Sequence, residues 1–229
     1  MLVSEIFRTL QGEGRYAGYP CLFLRTSGCN LRCAWCDTPY TSWTVEGESL
    51  DVEEILELTK PWAEVEHAVI SGGEPLLQKD LAKVIAGLKT QGHFITVETA
   101  GTLFESEVRP DFFSISPKLA NSRPNSERHA TELALHDRNN DHKHLEHYLT
   151  SGIEYQIKFV ICSEEDIPEI LDLVERFQLP RQNVYLMPEG VTHEALERHG
   201  QIVAEICFRE GFNFTGRMHV ELWGNQRRT

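Results

Sequence analysis

Three cysteines, Cys29, Cys33 and Cys36, fall within eight positions in the run Cys29-Asn-Leu-Arg-Cys33-Ala-Trp-Cys36-Asp-Thr. Thiolates are soft ligands suited to iron–sulfur clusters or zinc. Three of them on one short loop can wrap three corners of a cubane and leave the fourth iron without a protein ligand. An iron left open in this way can bind a small molecule, which a closed four-cysteine site cannot do. The alternative is a structural zinc site. Such a site normally draws on two separated ligand pairs; no second pair exists here, and no spacing supports His67 or Cys162 as a lone fourth ligand. The remaining cysteines, Cys21, Cys162 and Cys207, sit inside apolar runs and read as buried core thiols.

The elements that must position this loop follow a β-α rhythm. Strands are expected at Cys21–Thr26, His67–Ser71, Phe94–Glu98, Phe112–Ser116, Tyr155–Ile161, Asn183–Met187 and Arg217–Leu222. Helices are expected at Asp51–Lys60, Leu81–Lys89, Pro168–Phe177 and Glu194–Glu210. The alternation implies an α/β fold with a parallel sheet covered by helices. About six units fit, too few for an eight-fold barrel, so an open, partial βα barrel of about six parallel strands is expected. In such sheets ligands gather beyond the carboxyl ends of the strands. The cysteine loop, Ser71-Gly72-Gly73-Glu74-Pro75 and Ser116-Pro117-Lys118 each follow a strand directly.

The chain has 229 residues, 41% of them hydrophobic, and reads as one domain over 1–229. One polar stretch, 121–147, breaks the rhythm and reads as a solvated insertion. Its His142, His144 and His147 lack the helical i, i+4 spacing of a metal-binding pair. The net charge of −13 disfavours a generic nucleic-acid groove or an anionic lipid surface and suits a small-molecule substrate. No run approaches the ~20 apolar residues of a membrane span. The opening Met1-Leu-Val-Ser-Glu-Ile has no secretory pattern, so a cytoplasmic location is expected.

Cys-x₃-Cys-x₂-Cys with Trp35 before the last cysteine resembles the signature of the radical S-adenosylmethionine (SAM) superfamily, and the Gly-Gly-Glu-Pro run resembles its second motif. That resemblance implies a [4Fe-4S] cluster on Cys29, Cys33 and Cys36 whose open iron chelates SAM. Trp35, Cys36, Asp37, Gly73, Ser116 and Lys118 would then contact SAM. Four further features, Thr9-Leu-Gln-Gly-Glu-Gly14, Arg25, Cys36-Asp-Thr38 and His219-Val-Glu-Leu-Trp-Gly-Asn225, resemble the 7-carboxy-7-deazaguanine synthase family. This second resemblance implies a 6-carboxy-5,6,7,8-tetrahydropterin substrate held by Leu10, Gln11, Gly12, Arg25, Ser71 and Thr229, with Mg²⁺ on Thr38. It also implies a homodimer and an electron donor such as flavodoxin. In the implied reaction, reductive SAM cleavage gives a 5′-deoxyadenosyl radical that takes a hydrogen from C6 of the pterin; the ring contracts and ammonia leaves. No protein acid–base residue is required, because the cofactor carries the hard chemistry. A glycyl-radical activating enzyme and a non-enzymatic metal-binding module stay open as alternatives.

Overall fold

The computed structural model describes residues 1–229. In chain order the elements begin with β1 (Leu2–Leu10), β2 (Pro20–Thr26), α1 (Pro39–Ser42), β3 (Glu48–Ser49), α2 (Val52–Thr59), β4 (His67–Gly72), α3 (Leu81–Thr90), β5 (Phe94–Thr99) and β6 (Phe112–Ile115). They continue with α4 (Ala130–Asn139), α5 (Leu145–Leu149), β7 (Glu154–Ile161), α6 (Ile167–Arg176), β8 (Val184–Pro188), α7 (His193–Glu210), β9 (Asn213–Phe214) and α8 (Met218–Trp223). All strands join one sheet in the order β3-β1-β2-β4-β5-β6-β7-β8-β9. From β2 to β9 every pairing is parallel, and β1 runs antiparallel to both β2 and β3. The expected partial barrel of six parallel strands is present, extended at one edge by the β1–β3 ribbon and at the other by the two-residue β9.

Strand period two divides this sheet into two chemically distinct faces. On the outer face Leu22, Leu24, Ile70, Ile95, Val97, Phe113, Ile157, Phe159 and Leu186 pack against helix residues such as Ile55, Leu81, Val84, Ile170, Val203 and Ile206 in one continuous core. The alternate positions point inward and are mixed: Arg25, Ser71, Glu98, Ser114, Gln156 and Lys158 lie on the same face as the small apolar cluster of Phe7, Cys21, Phe23 and Val69. Parallel register lines these residues up, with Arg25 beside Ser71 and Glu98 beside Ser114, itself beside Gln156. The loop after β1 closes the amino end of the barrel. There the Tyr16 ring meets His67, Phe94 and Phe112 edge-on at centroid distances of 5.0, 5.5 and 5.0 Å.

Local signals account for the helices. Asp51 caps α2 through a reciprocal capping box with Glu54, both hydrogen bonds at 2.8 Å. Gly211 ends α7 in the left-handed conformation that glycine adopts without cost.

Four expectations need correction. Arg217–Leu222 is not a strand. Residues Met218–Trp223 form α8, which begins where Arg217 is locked by buried ion pairs, and its backbone turns onto the Arg217 carbonyl. The stretch 121–147 is not simply solvated: it carries α4 and α5 and buries His136 and Leu145. Cys21 and Cys207 are buried as expected, but Cys162 is only half-buried. Strand β1 was not anticipated. A register shift between Val3 and Glu5 puts Val3 in the outer core while Glu5 and Phe7 face inward, so no unbroken apolar alternation marks the strand.

Truncating a fully buried outward-facing side chain tests the core assignment. Ile70→Ala is expected to lower unfolding stability by about 2–5 kcal/mol, measured by chemical denaturation of the metal-free protein. A loss below about 0.5 kcal/mol would contradict the packing of β4 against the helices.

Candidate active site

The carboxyl ends of the strands surround a cavity of about 390 Å³. Every residue singled out in the sequence as a site candidate lines it: Leu10, Gln11, Gly12, Arg25, Cys29, Cys33, Trp35, Cys36, Asp37, Thr38, Ser71, Gly73, Ser116, Lys118 and Thr229. The cysteine loop leaves β2 without regular secondary structure. Burial pushes the Cys29 and Cys33 thiols up to about 12, so iron must displace their protons on binding. The Cys36 sulfur lies 3.3 Å from Ser42 Oγ and 3.9 Å from Thr38 Oγ1.

The Gly-Gly-Glu-Pro run after β4 clasps this loop from one side. A Cβ on Gly73 would overlap the Gly28 carbonyl and crowd that of Thr41, so only glycine lets the two segments cross. Glu74 donates its N–H to Gly28 O at 2.8 Å. Its buried carboxylate accepts from Thr99 Oγ1 at 2.8 Å and from Ala100 N at 2.9 Å. Burial raises the pKa of this carboxyl. On the other side Lys118 Nζ donates to Ser116 Oγ at 2.8 Å and lies 5.7 Å from the centre of the Trp35 ring. The indole N–H of Trp35 donates to Asn121 O at 3.1 Å.

The opposite wall is built around Glu5. Its carboxylate accepts from Arg25 Nε at 2.9 Å, Tyr40 Oη at 3.2 Å and Arg227 Nε at 3.0 Å. With Phe23 and Leu24 as its neighbours, Arg25 is poorly placed to pair with a surface glutamate. Its partner is instead a buried glutamate inside the fold. Only Nε is engaged, and both terminal amino groups of the guanidinium are without a protein partner. Gln11 Nε2 and Ser71 Oγ meet on the two oxygens of Glu98, at 3.1 and 2.7 Å. Gly12 packs directly beneath the His219 ring, where a Cβ would overlap Nδ1. The tail residues Asn225, Gln226, Arg227 and Thr229 also line the cavity.

Sequence reasoning missed a buried ionic chain in the cavity wall. Lys158 Nζ donates to Glu13, whose other oxygen accepts from Arg217 Nε at 3.1 Å; Arg217 Nη1 donates to Gly190 O at 2.8 Å, and its Nη2 pairs with Asp37. Burial alone would raise the pKa of Glu13, but Lys158 and Arg217 override it and hold the carboxyl well below the usual range. Asp37 is lowered for the same reason, Arg217 outweighing burial. The Asp37 carboxylate is thus engaged by Arg217. One signal was available for Lys158 and Glu98: each is a charge flanked on both sides by strand-forming residues, Ile157 and Phe159 for Lys158, Val97 and Thr99 for Glu98.

Residues 23–199 match the family model described as the radical SAM superfamily. Over its whole length the chain is 37% identical to the 7-carboxy-7-deazaguanine synthase of Rhodopirellula baltica, covering 89% of that protein. It is 36% identical to that of Halobacterium salinarum, covering 99% of this chain and 92% of that one. The chain belongs to the 7-carboxy-7-deazaguanine synthase family of the radical SAM superfamily. Its fold matches QueE from Escherichia coli with a TM-score of 0.69 at 24% identity, covering 95% of this chain and 94% of that one. It also matches Streptococcus suis SuiB bound to S-adenosylmethionine, with a TM-score of 0.57 at 15% identity over 82% and 48% of the two chains.

Membership of this superfamily makes the chain a radical SAM enzyme that works with a [4Fe-4S] cluster and SAM, and the donor set fits that group. Cys29, Cys33 and Cys36 all border the cavity, and soft thiolates are the ligands that iron–sulfur clusters take. The His147 ring stacks on Phe104 at 5.3 Å. No helix is long and apolar enough to cross a membrane.

The ionic chain sets an acid limit. Ionised Glu13 is favoured by the fold, so its contribution is complete above its unfolded pKa near 4.5 and is lost as pH falls from there toward its lower folded value. Glu13→Gln is expected to cost about 3–5 kcal/mol at neutral pH, because Lys158 and Arg217 lose a shared counter-charge, and to flatten the decline in stability below pH 4.5. Denaturation midpoints measured from pH 3 to 7, a range set about that ordinary carboxyl value, check both effects; parallel acid profiles for the two proteins would contradict the assignment.

Proposed function

We propose that this chain is a carbon–nitrogen lyase that converts 6-carboxy-5,6,7,8-tetrahydropterin to 7-carboxy-7-deazaguanine with loss of ammonia, in queuosine-type 7-deazapurine biosynthesis, and that residues 1–229 act as one radical SAM domain. The carrying observation is that the three-thiol loop and the half-engaged guanidinium of Arg25 face one enclosed cavity. When bound, the cluster on Cys29, Cys33 and Cys36 supplies the electron that cleaves SAM and so starts the ring contraction.

The protein's own work is placement. Glu5 fixes Arg25 through Nε and leaves the fork of Nη1 and Nη2 for the planar carboxylate of the substrate. Glu98 accepts from the Ser71 hydroxyl and the Gln11 amide, which leaves Ser71 Oγ as an acceptor and the second Gln11 Nε2 proton as a donor toward the heterocycle. Leu10 and Gly12 offer backbone groups to its flat face, and Thr229 closes the tail side. On the cluster side Trp35, Cys36, Asp37, Gly73, Ser116 and Lys118 form the SAM pocket, with Asp37 acting through its backbone because its carboxylate pairs with Arg217. Thr38 is the protein ligand for Mg²⁺. Its Oγ1 has only long contacts, 3.4 Å to Thr41 Oγ1 and 3.9 Å to Cys36 Sγ, so a lone pair is available to a hard cation that keeps its waters and a substrate oxygen.

This reading carries with it a reducing, cytoplasmic setting, an electron donor of the flavodoxin type and a homodimeric assembly; a low-potential cluster needs such a compartment. Anaerobic reconstitution followed by product analysis is the direct test. A [4Fe-4S] protein that cleaves SAM but leaves the pterin untouched would overturn the substrate assignment. Cys33→Ala is expected to abolish the cluster. Arg25→Ala is expected to keep the cluster spectrum and raise the apparent KM for the pterin by about 10–100-fold, the range of one charge-assisted hydrogen-bond pair. An unchanged KM would remove Arg25 from the substrate site.

A further inference from the structure

Outside the catalytic wall several titratable side chains are buried, and one of them contacts the cysteine loop. His136 lies on α4, inside the polar stretch 121–147, and is fully buried. Its ring does not pack into the apolar core. Nδ1 accepts the backbone N–H of Arg32 at 3.2 Å, and Nε2 lies 3.1 Å from Ser122 Oγ. Because Nδ1 accepts, the ring is neutral and carries its proton on Nε2, which donates to Ser122 Oγ. Ser122 Oγ in turn donates to Leu119 O at 2.6 Å, so every proton in this chain of contacts has an assigned acceptor.

The second half of the arrangement is in the backbone. The Ser122 carbonyl accepts the N–H of Ala34 at 2.9 Å. His136 and Ser122, hydrogen-bonded to each other, therefore hold the N–H groups of the residues immediately before and after Cys33. The same segment adds Asn139 Nδ2 to Asn30 O at 2.8 Å and Asn121 to the Trp35 indole. The loop between Cys29 and Cys36 has few internal bonds of its own and no helix or strand to set its dihedrals. Three thiolates serve a cluster only when their backbone holds them at fixed corners.

We propose that His136, acting with Ser122, is a positioning residue that fixes the backbone on both sides of Cys33 and so presents its thiolate for cluster binding. This proposal rests on the reading of Cys33 as a cluster ligand.

The test follows iron release from the anaerobically reconstituted full-length protein to a ferrous chelator, with the electron paramagnetic resonance spectrum of the reduced cluster recorded with and without SAM. His136→Leu is expected to release iron about tenfold faster, the equivalent of one lost hydrogen bond to a buried N–H, and to alter the spectrum. His136→Asn, whose side-chain oxygen can accept from Arg32 N–H, is expected to restore most of the wild-type rate. His93→Leu removes a buried histidine that bonds Val65 O, away from the loop, and is expected to leave release unchanged. Should His136→Leu fail to fold, Ser122→Ala decides, with release about threefold faster expected. A cluster-bearing wild type with His136→Leu releasing at the same rate, with the Asn and Leu variants alike, or with His93→Leu equally fast, overturns the positioning role. A wild type that takes up no [4Fe-4S] cluster overturns the underlying cluster reading instead.

Discussion

The ionic chain from Asp37 through Arg217 and Glu13 to Lys158 ties together parts of the molecule that share no secondary structure. Asp37 follows the last cysteine, Arg217 precedes α8, Glu13 sits in the loop after β1, and Lys158 projects from the middle of β7. Desolvating these charges is expensive, and each is tolerable only because the others are present. The fold therefore cannot lose one member cheaply. The same constraint dictates the shape of the carboxyl-terminal region: with Arg217 anchored by two carboxylates and the Gly190 carbonyl, the chain turns directly into α8, which brings His219 over Gly12. An interaction that looks like stabilisation is also what closes the cavity.

Glu5 plays the corresponding part at the other edge. A carboxylate buried between two arginines and a tyrosine hydroxyl is strongly favoured over an unpaired one, and the arrangement leaves the guanidinium of Arg25 only partly satisfied. A guanidinium with two idle amino groups in a low-dielectric wall is a strong attractor for a planar anion. Arg227, which stacks over Tyr40 at 3.8 Å and shares Glu5, draws the tail into the same wall. The proposed carboxylate site at Arg25 and the docking of the tail thus draw on one buried acid.

Much of this was legible in the sequence because spacing translates directly into geometry. Three thiols in a loop after one strand, a glycine pair after the next and Ser116-Pro117-Lys118 after another place the motifs at the carboxyl ends of a parallel sheet. What was not legible depended on partners distant in sequence. Arg217 sits 204 positions from Glu13, and nothing local announces that pair. His-Val-Glu-Leu-Trp has strand-like composition, yet it forms a helix because the anchored arginine fixes where the turn begins; tertiary context overrode propensity. Strand β1 was hidden for the converse reason, since its inward Glu5 is a charge whose partners Arg25, Tyr40 and Arg227 are distant in sequence. The failures of local rules fall at the residues that do chemistry or hold it in place.

The cysteine loop shows why a polar stretch can still be essential to such a site. Within the loop Arg32 Nη1 bonds the Cys29 and Leu31 carbonyls at 2.8 and 2.7 Å, but a loop that must keep three sulfurs free for metal has few other side chains to fold with, so the rest of its backbone is held from outside. One clasp is the Gly73–Glu74 turn, where the absence of a Cβ allows direct backbone contact. The other is the 119–140 segment, whose histidine, serine and asparagines reach into the loop by hydrogen bonds rather than by apolar packing. Its polarity is the property that this contact requires: the surface to be covered is a row of N–H and C=O groups, which an apolar helix would leave unsatisfied. A segment poor in large apolar residues is in this setting the correct partner for a metal-binding loop, and composition alone could not distinguish it from one left to solvent.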